Sequence, residues 1–326
     1  VNQERPLGVI VPSWNSLQLL PRCLSSLQGQ GLELETLVVD NGSSDGTLAY
    51  LERERVPHIS LPENVGFARA VNLGVARLEA KVVLSLNADT VVVSGAVPAL
   101  LAALEADSTL GGVQPRILQL EEGGADVGSA RLYSAGQALT ADGRAVELGA
   151  GEAQSPPYLD GREVFGVCGA ACLLRRELFD RLGGYDERYF SFYEDVDLNM
   201  RARVAGWRFA YVPEAAVWHL GNASWMAEAP TPSAWNARLV ARNRIATQAK
   251  FMPLRALPRI LAVEVGALLR AARQGRLRST LRGKLEGLRL LPAMIRDRRR
   301  LRAEGSLGRA REWLGVGAAM PGPREG

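Results

Sequence analysis

Three carboxylates, Glu194, Asp195 and Asp197, fall within four positions of the stretch Tyr193-Glu194-Asp195-Val196-Asp197-Leu198-Asn199-Met200-Arg201. An apolar segment turns into a helical pattern at that point. Free backbone N–H groups and the positive dipole end at a helix start stabilise an ionised acid by roughly 0.3–1 kcal/mol each. An ionised carboxylate is what a proton acceptor must be. Taken alone, such an acidic pair reads more readily as an N-cap followed by an exposed face. Two further polar loops, Asp40–Asp45 and Asn87–Asp89, each following an apolar strand, change that reading. Together the three stretches suit a metal, a nucleotide and a hydroxyl that gives up its proton.

Each loop offers distinct chemistry. Gly42, Ser43 and Gly46 permit a tight turn whose backbone can approach a ribose or base, and Asp40 or Asn41 can hydrogen-bond a pyrimidine edge. Asp89, two residues after Asn87, supplies a hard oxygen ligand of the kind that holds Mg²⁺ or Mn²⁺ jointly with substrate phosphates. His219, one of only two histidines, follows an apolar strand and is a second candidate ligand for that ion. Neither a Walker A sequence nor a GxGxxG after the first strand is present, which argues against an NTPase or a dehydrogenase. The three cysteines, Cys23, Cys168 and Cys172, form no CxxC, so a zinc site is not expected.

The elements that must position these residues alternate. Apolar strands are expected over 7–11, 34–39, 58–61 and 81–86, with helices over 15–27, 47–55 and 64–79 between them. That alternation predicts a parallel, doubly wound sheet with helices on both faces. Ligands of such sheets bind beyond the carboxyl ends of the strands. Pro12–Asn15 (with Ser13), Asp40–Asp45 and Asn87–Asp89 all fall there. Further on, a helix over 95–106 and a strand over 112–118 precede a weakly periodic segment, 121–154, which reads as loop and hairpin over the site or at its rim. A strand over 164–174 carries the small-residue run Cys168-Gly169-Ala170-Ala171-Cys172. Then come a short helix over 177–182, the acidic helix 194–205 and strands over 207–212 and 216–218.

Charge divides the 326-residue chain, whose net value is only +4. Residues 1–237 carry 18 Lys/Arg against 29 Asp/Glu, whereas 238–312 carry 20 against 5. We therefore expect a catalytic domain over 1–237 and a basic helical region over 238–326, its helices separated by Pro253, Pro258 and Pro292. Leu257, Ile260, Leu261, Val265, Leu268 and Leu269 form one apolar face beside Arg259, Arg270 and Arg273. Leu285, Leu288, Leu291 and Ile295 form another, followed by Arg296 and Arg298-Arg299-Arg300. Basic amphipathic helices of this kind lie on anionic membrane surfaces or pack on a partner, including a second copy in a homodimer. No apolar run approaches the ~20 residues of a membrane span. With an odd cysteine count and no N-terminal signal segment, the expectation is a cytoplasmic protein, peripheral on the inner face of the membrane. Nucleic acid is not expected as a partner, because the basic segment has few interleaved aromatics, mainly Phe251 and Trp313. A non-catalytic nucleotide-sugar sensor and a basic adaptor are the competing readings.

Five ordered blocks resemble the family 2 glycosyltransferases: Val11-Pro12-Ser13-Trp14-Asn15, Val39–Thr47, Glu63–Asn72, Leu86-Asn87-Ala88-Asp89-Thr90, and Gly183–Glu187 with Tyr193–Asp197. The likeness covers roughly residues 8–225 and is nearest to bacterial rhamnosyltransferase-like members that build cell-surface polysaccharide. It implies a GT-A fold and an inverting transfer from a nucleoside-diphosphate sugar, with dTDP-L-rhamnose as the suggested donor and a lipid-linked or growing glycan as acceptor. It further implies that Pro12 and Asp40 or Asn41 line the nucleoside pocket, with Asn64 and Arg69 near the ribose and diphosphate. Asn87-Ala88-Asp89 stands where the family has its DxD-type motif, and Asn replaces the first acid, leaving Asp89 most of the charge on the ion. Asp195 matches the catalytic base, with Glu194 as its neighbour and Asp197 in reserve. His219 matches a position that helps bind the metal in some members. A sugar-nucleotide pyrophosphorylase, which shares this type of fold, would need a Gly-rich loop where Pro12-Ser13-Trp14-Asn15 stands.

Overall fold

Successive side chains of a strand point to opposite faces of a sheet, and here every central strand is apolar on both. The computed structural model describes residues 6–120, 127–128, 130–156, 158–220, 232–303 and 307–315. The order is β1 (Leu7–Ser13), α1 (Leu20–Leu27), β2 (Leu34–Asp40), α2 (Thr47–Arg53), β3 (His58–Ser60), α3 (Phe67–Arg77), β4 (Val82–Leu86), β5 (Thr90–Val92), α4 (Ala96–Ala106) and β6 (Leu110–Gln119). Short strands β7 (Leu132–Ser134), β8 (Gln137–Leu139), β9 (Ala145–Glu147) and β10 (Arg162–Val164) follow. Then come β11 (Ala171–Arg175), α5 (Arg176–Leu182), α6 (Glu194–Ala205) and β12 (Arg208–His219). Four helices end the described chain: α7 (Pro232–Phe251), α8 (Leu257–Arg273), α9 (Leu277–Ala303) and α10 (Leu307–Arg311).

The main sheet runs β10-β12-β6-β11-β4-β1-β2-β3. The β4-β1-β2-β3 half is parallel, β11 inserts antiparallel between β4 and β6, and β12 runs parallel to β6. Ile10, Val39, Val83 and Leu174 enter one core with α3, α5 and part of α6. Their neighbours Val9, Val38, Leu84 and Leu173 enter the other with α1, α2 and α4. The expected doubly wound sheet is therefore present, with the loops after β1, β2 and β4 on one edge.

Several boundaries differ from expectation, each where side chains claim the backbone. The helix expected from 15 starts at Leu20, because Asn15 (φ 49°) donates its N–H to Ser43 Oγ and Ser16 donates its own to Thr47 Oγ1. The helix expected from 64 starts at Phe67, after Gly66 at φ 91°. A Cβ on Gly66 would lie 2.5 Å from the Phe190 carbonyl oxygen. The strand expected over 164–174 splits into β10 and β11. Between them the N–H of Cys168 goes to Gln114 Oε1 and that of Gly169 to Asp195 Oδ2, not to a ladder. The strands expected over 207–212 and 216–218 are one strand, β12, with a register shift between Val212 and Ala216. Of the segment 121–154, residues 121–126 and 129 lie outside the described residues; the rest pairs β7 with β6 and folds β8–β9 into a hairpin.

The basic helices are packed onto the sheet domain. Val196, Met200 and Val204 on α6 share a core with Phe251, Met252, Ile260, Leu301 and Leu307. Helix α6 is thus buried on two sides, its Leu198 and Ala202 facing the sheet core. The division drawn at 237/238 on charge passes through α7. Pro292 does not separate helices but lies inside α9. A proline there forgoes one backbone hydrogen bond, while the helix continues to pack along α7. Gly283 and Gly287 make that contact close, since a Cβ at Gly283 would sit 2.1 Å from the Arg238 carbonyl oxygen. Residues 304–306 and 316–326 of the expected basic region lie outside the described residues.

Candidate active site

A cavity of about 270 Å³ opens at the carboxyl ends of β1, β2 and β4. Its first wall comes from Pro12, Ser13 and Trp14 with Asn41 and Asn64. Asn41 is a clamp. Its Nδ2 donates to Asn64 Oδ1 (3.0 Å) and its Oδ1 accepts from the N–H of Val65 (2.8 Å). Asn15 and Asp45 fasten the adjoining turns, Asn15 Oδ1 accepting from the N–H of Ser44 and Asp45 from those of Leu17 and Thr47. Asp40 is almost wholly buried behind this wall, and burial raises its carboxyl above the ordinary range. Asn15, Asp40 and Gly42 therefore shape the wall without lining the cavity. Arg69 lies on an exposed part of α3, 3.8 Å from Glu187, and is not in the lining either.

The second wall gathers Asn87, Asp89 and His219. Nε2 of His219 lies 3.2 Å from Asp89 Oδ1 and 3.3 Å from the Asn87 side-chain amide. The imidazole is held edge-on against Tyr133, with ring centroids 4.5 Å apart. Its Nδ1 is buried and has no hydrogen-bond partner among the described residues. A carboxylate, an imidazole nitrogen and an amide on adjoining strand ends form a donor set that fits Mn²⁺ or Mg²⁺, with phosphate oxygens completing the shell.

The third wall carries the acids. Asp195 Oδ2 accepts from the N–H of Gly169 (3.0 Å) and from Gln137 Nε2 (2.8 Å), and Oδ1 accepts from the N–H of Val196 (2.7 Å). Burial raises its carboxyl above the usual range, with these hydrogen bonds opposing. Glu194 is buried, which pushes its carboxyl well up, and its Oε2 has no hydrogen-bond partner among the described residues. Asp197 points elsewhere. It is fully buried in an ion-pair cluster, 2.6 Å from Arg201 on one oxygen and 2.6 Å from Lys250 on the other, outside the cavity lining.

The chain enters α6 through strained backbone. Phe190, Phe192 and Tyr193 have φ of 64°, 67° and 69°, a left-handed region costly for bulky residues. Asn243 on α7 holds them there, its Nδ2 sharing two hydrogens among the carbonyls of Tyr189, Ser191 and Phe192 at 2.6–2.9 Å. Val240 of the same helix lines the cavity. The region set apart by charge thus builds part of the site.

Sequence reasoning missed Gln137, Glu147, Tyr133 and Asn243. The Asp142-Gly143 dipeptide is a hairpin signal that could have located β8–β9. Nothing in the spacing shows that this hairpin turns Gln137 and Glu147 towards Asp195. An oxygen of each carboxylate and Cys168 Sγ lie within 4.8 Å of one another, with the Gln137 amide bonded to both acids.

A mixed, mostly parallel sheet with a carboxylate–imidazole pair and a half-buried, hydrogen-bonded acid at its carboxyl edge defines a glycosyltransferase of the GT-A fold. The family model described as glycosyl transferase family 2 matches residues 8–183, and the chain belongs to that family. It is 31% identical over 237 residues to N-acetylglucosaminyl-diphospho-decaprenol L-rhamnosyltransferase of Mycobacterium tuberculosis, covering 65% of this chain and 75% of that one. The fold is similar to that of GalNAc-T7 with UDP, GalNAc and Mn²⁺ (TM-score 0.58, 17% identity, 76% of this chain and 48% of that one). It is also similar to mannosyltransferase PcManGT from Pyrobaculum calidifontis in complex with GDP-Man and Mn²⁺ (TM-score 0.51, 19% identity, 93% of this chain and 86% of that one).

Proposed function

We propose that this enzyme transfers a sugar, with inversion, from a nucleoside-diphosphate donor to a hydroxyl of a lipid-linked or growing cell-surface glycan. The observation that carries the reading is one cavity with Asp89 and His219 on one wall and the half-buried, hydrogen-bonded Asp195 on another. Pro12, Ser13, Asn41 and Asn64 stand where the nucleoside would lie. Asp195 accepts the proton of the acceptor hydroxyl as its oxygen attacks the anomeric carbon. The bond from that carbon to the diphosphate oxygen breaks, and the nucleoside diphosphate departs on the opposite face. Asp89, His219 and Asn87 would hold a divalent cation, which when bound supplies charge to stabilise the leaving diphosphate. Fixed backbone N–H donors from Gly169 and Val196 keep Asp195 oriented, so little reorganisation is needed at reaction. Similarity to an L-rhamnosyltransferase supports dTDP-L-rhamnose as the donor.

The partner in the cell is read as an anionic membrane surface. Leu257, Leu261, Val265 and Leu269 repeat every fourth residue on α8 and are 49–57% exposed, with exposed Arg259, Arg270 and Arg273 beside them. Ile260 turns inward instead. Leu281, Leu285 and Leu288 continue the exposed aliphatic surface on α9. No described helix is long and apolar enough to cross a membrane.

The deciding experiment is calorimetric binding of a panel of nucleoside-diphosphate sugars, with and without Mn²⁺, to wild type and Asp89→Ala. One donor is expected to bind selectively and with metal dependence, and Asp89→Ala to lose that dependence. Absence of binding by every donor under both conditions would overturn the reading.

A further inference from the structure

Glu147 lies on β9, in the segment read from sequence as loop and hairpin, and it lines the cavity. Its Oε1 accepts from Gln137 Nε2 at 2.9 Å, and its Oε2 accepts from Ser134 Oγ at 2.5 Å. The same Gln137 nitrogen donates to Asp195 Oδ2 at 2.8 Å. One amide NH₂ group therefore spends both hydrogens on two carboxylates from distant parts of the chain. Gln137 cannot rotate to release either acid without cost, because its Oε1 accepts from Asn199 Nδ2 at 2.8 Å, and Asn199 is fully buried on α6.

We infer that Glu147 is a positioning residue for the catalytic base, acting through the shared Gln137 amide to hold Asp195 in orientation and to couple its protonation to that of a second carboxylate. The inference rests on the reading of Asp195 as that base. Two acids this close do not titrate independently; protons belong to the pair. Burial and the charge of Asp195 push the Glu147 carboxyl up to about 7, against the hydrogen bonds from Ser134 and Gln137. Ser134 Oγ accepts from Gln114 Nε2 at 2.8 Å and from the N–H of Gly136 at 3.2 Å, so its one hydrogen is directed to Glu147 and fixes that carboxyl from the side away from Gln137. The other titratable groups on this cavity are Glu194 and Tyr193 at the start of α6, Cys168 before β11, Tyr133 on β7, Asp89 after β4 and His219 on β12. Among the described residues, no lysine or arginine lines the cavity, so no side-chain ammonium or guanidinium there competes for the two carboxylates.

The test is a ¹³C-carboxyl NMR titration of the full chain, with Asp195 assigned by its loss in Asp195→Asn. Glu147→Gln keeps the side-chain shape and removes the second acid, so the Asp195 carboxyl is expected to lose the upper titration step, at about 7, that it shares with Glu147 and to titrate in a single lower step. Asp195→Asn should move the Glu147 titration down, and Glu147→Asp should restore the two-step Asp195 profile. With the donor identified by calorimetry, the rate profile of Glu147→Gln should lose the inflection at about 7, with kcat lowered more than donor KM. An Asp195 titration profile unchanged in Glu147→Gln, with the fold intact by amide spectra, overturns the inference. If Glu147→Gln does not fold, Ser134→Ala perturbs the same pair through Glu147, and an upper Asp195 step that stays where it was overturns it as well. These titrations need no turnover, so they stand apart from the test of the transfer reaction itself.

Discussion

Asp195 is half-buried and accepts three hydrogen bonds, two of them from backbone N–H groups that cannot move away. That combination orients a base while desolvation raises its proton affinity. Asp195→Asn should cut transfer by about 10²–10⁴-fold and leave donor binding near wild type by calorimetry. Because its carboxyl is held above the ordinary value, the protonated, inactive form gains as pH falls through that raised value. The acidic limb of kcat/KM is therefore expected above the usual aspartate range, and a limb at an ordinary value would contradict the assignment. Asp197, two residues on, has a different task. Removing it as Asp197→Ala leaves Lys250 buried beside fewer acids, which costs about 3–5 kcal/mol, to be read by urea denaturation. In the same cluster, burial works to raise Asp186, but Arg188 and Lys250 hold its carboxyl well below the usual range. Its contribution to stability is thus present above the unfolded value of about 3.9 and is lost as pH falls towards the depressed one.

At the scale of elements, α6 depends on α7. Three residues in left-handed backbone lead into the acidic helix, and one side chain, Asn243, shares its two amide hydrogens among three nearby carbonyls. Asn243→Ala should leave the carbonyls of Ser191 and Phe192 without this donor at about 1–3 kcal/mol each, while that of Tyr189 keeps Arg242 and the N–H of Ser191, and should relax the entry to the helix. Hydrogen exchange is expected to rise over 189–196 and kcat to fall, with the sheet amides unchanged. If exchange rises uniformly instead, Asn243 is a general stability residue and not a local fastener. The proline inside α9 and the glycines where it crosses α7 show the same priority of packing over local preference. Helix propensity is worth about 1–3 kcal/mol for Gly or Pro, less than a long helix gains by burying its face.

For the whole molecule, the question is what covers the aliphatic rows of α8 and α9. Vesicles with phosphatidylserine should sediment the protein, and neutral vesicles should do so poorly, since apolar insertion and arginine–headgroup attraction act together. Leu261→Glu with Val265→Glu should reduce binding at least tenfold without changing donor affinity at the distant cavity. High salt should weaken binding by screening the arginines. Concentration-dependent dimerisation abolished by the same pair of substitutions, without vesicle binding, would assign the face to a second copy of the chain.

Much of this was legible in the sequence because it is local. Apolar runs alternating with helical spacing specify a doubly wound sheet, and its chain geometry alone sends the loops after Val11, Val39 and Leu86 to one edge. The types of Asp89, Asp195 and His219 then suggest what those loops could do. Charge alone marked 238–312 as different. The tertiary structure decided what depends on long-range register. Asp195 and Asp197 are two positions apart, yet rotation of about 100° per residue sends one to the cavity and the other to Lys250. Gln137 and Glu147 reach the base only because β8–β9 folds beneath it, and Asn243 only because α7 packs along the loop before α6. A sequence states which side chains a segment carries. Which of them meet is set by the packing of distant segments, where burying apolar surface outweighs local preferences of the chain.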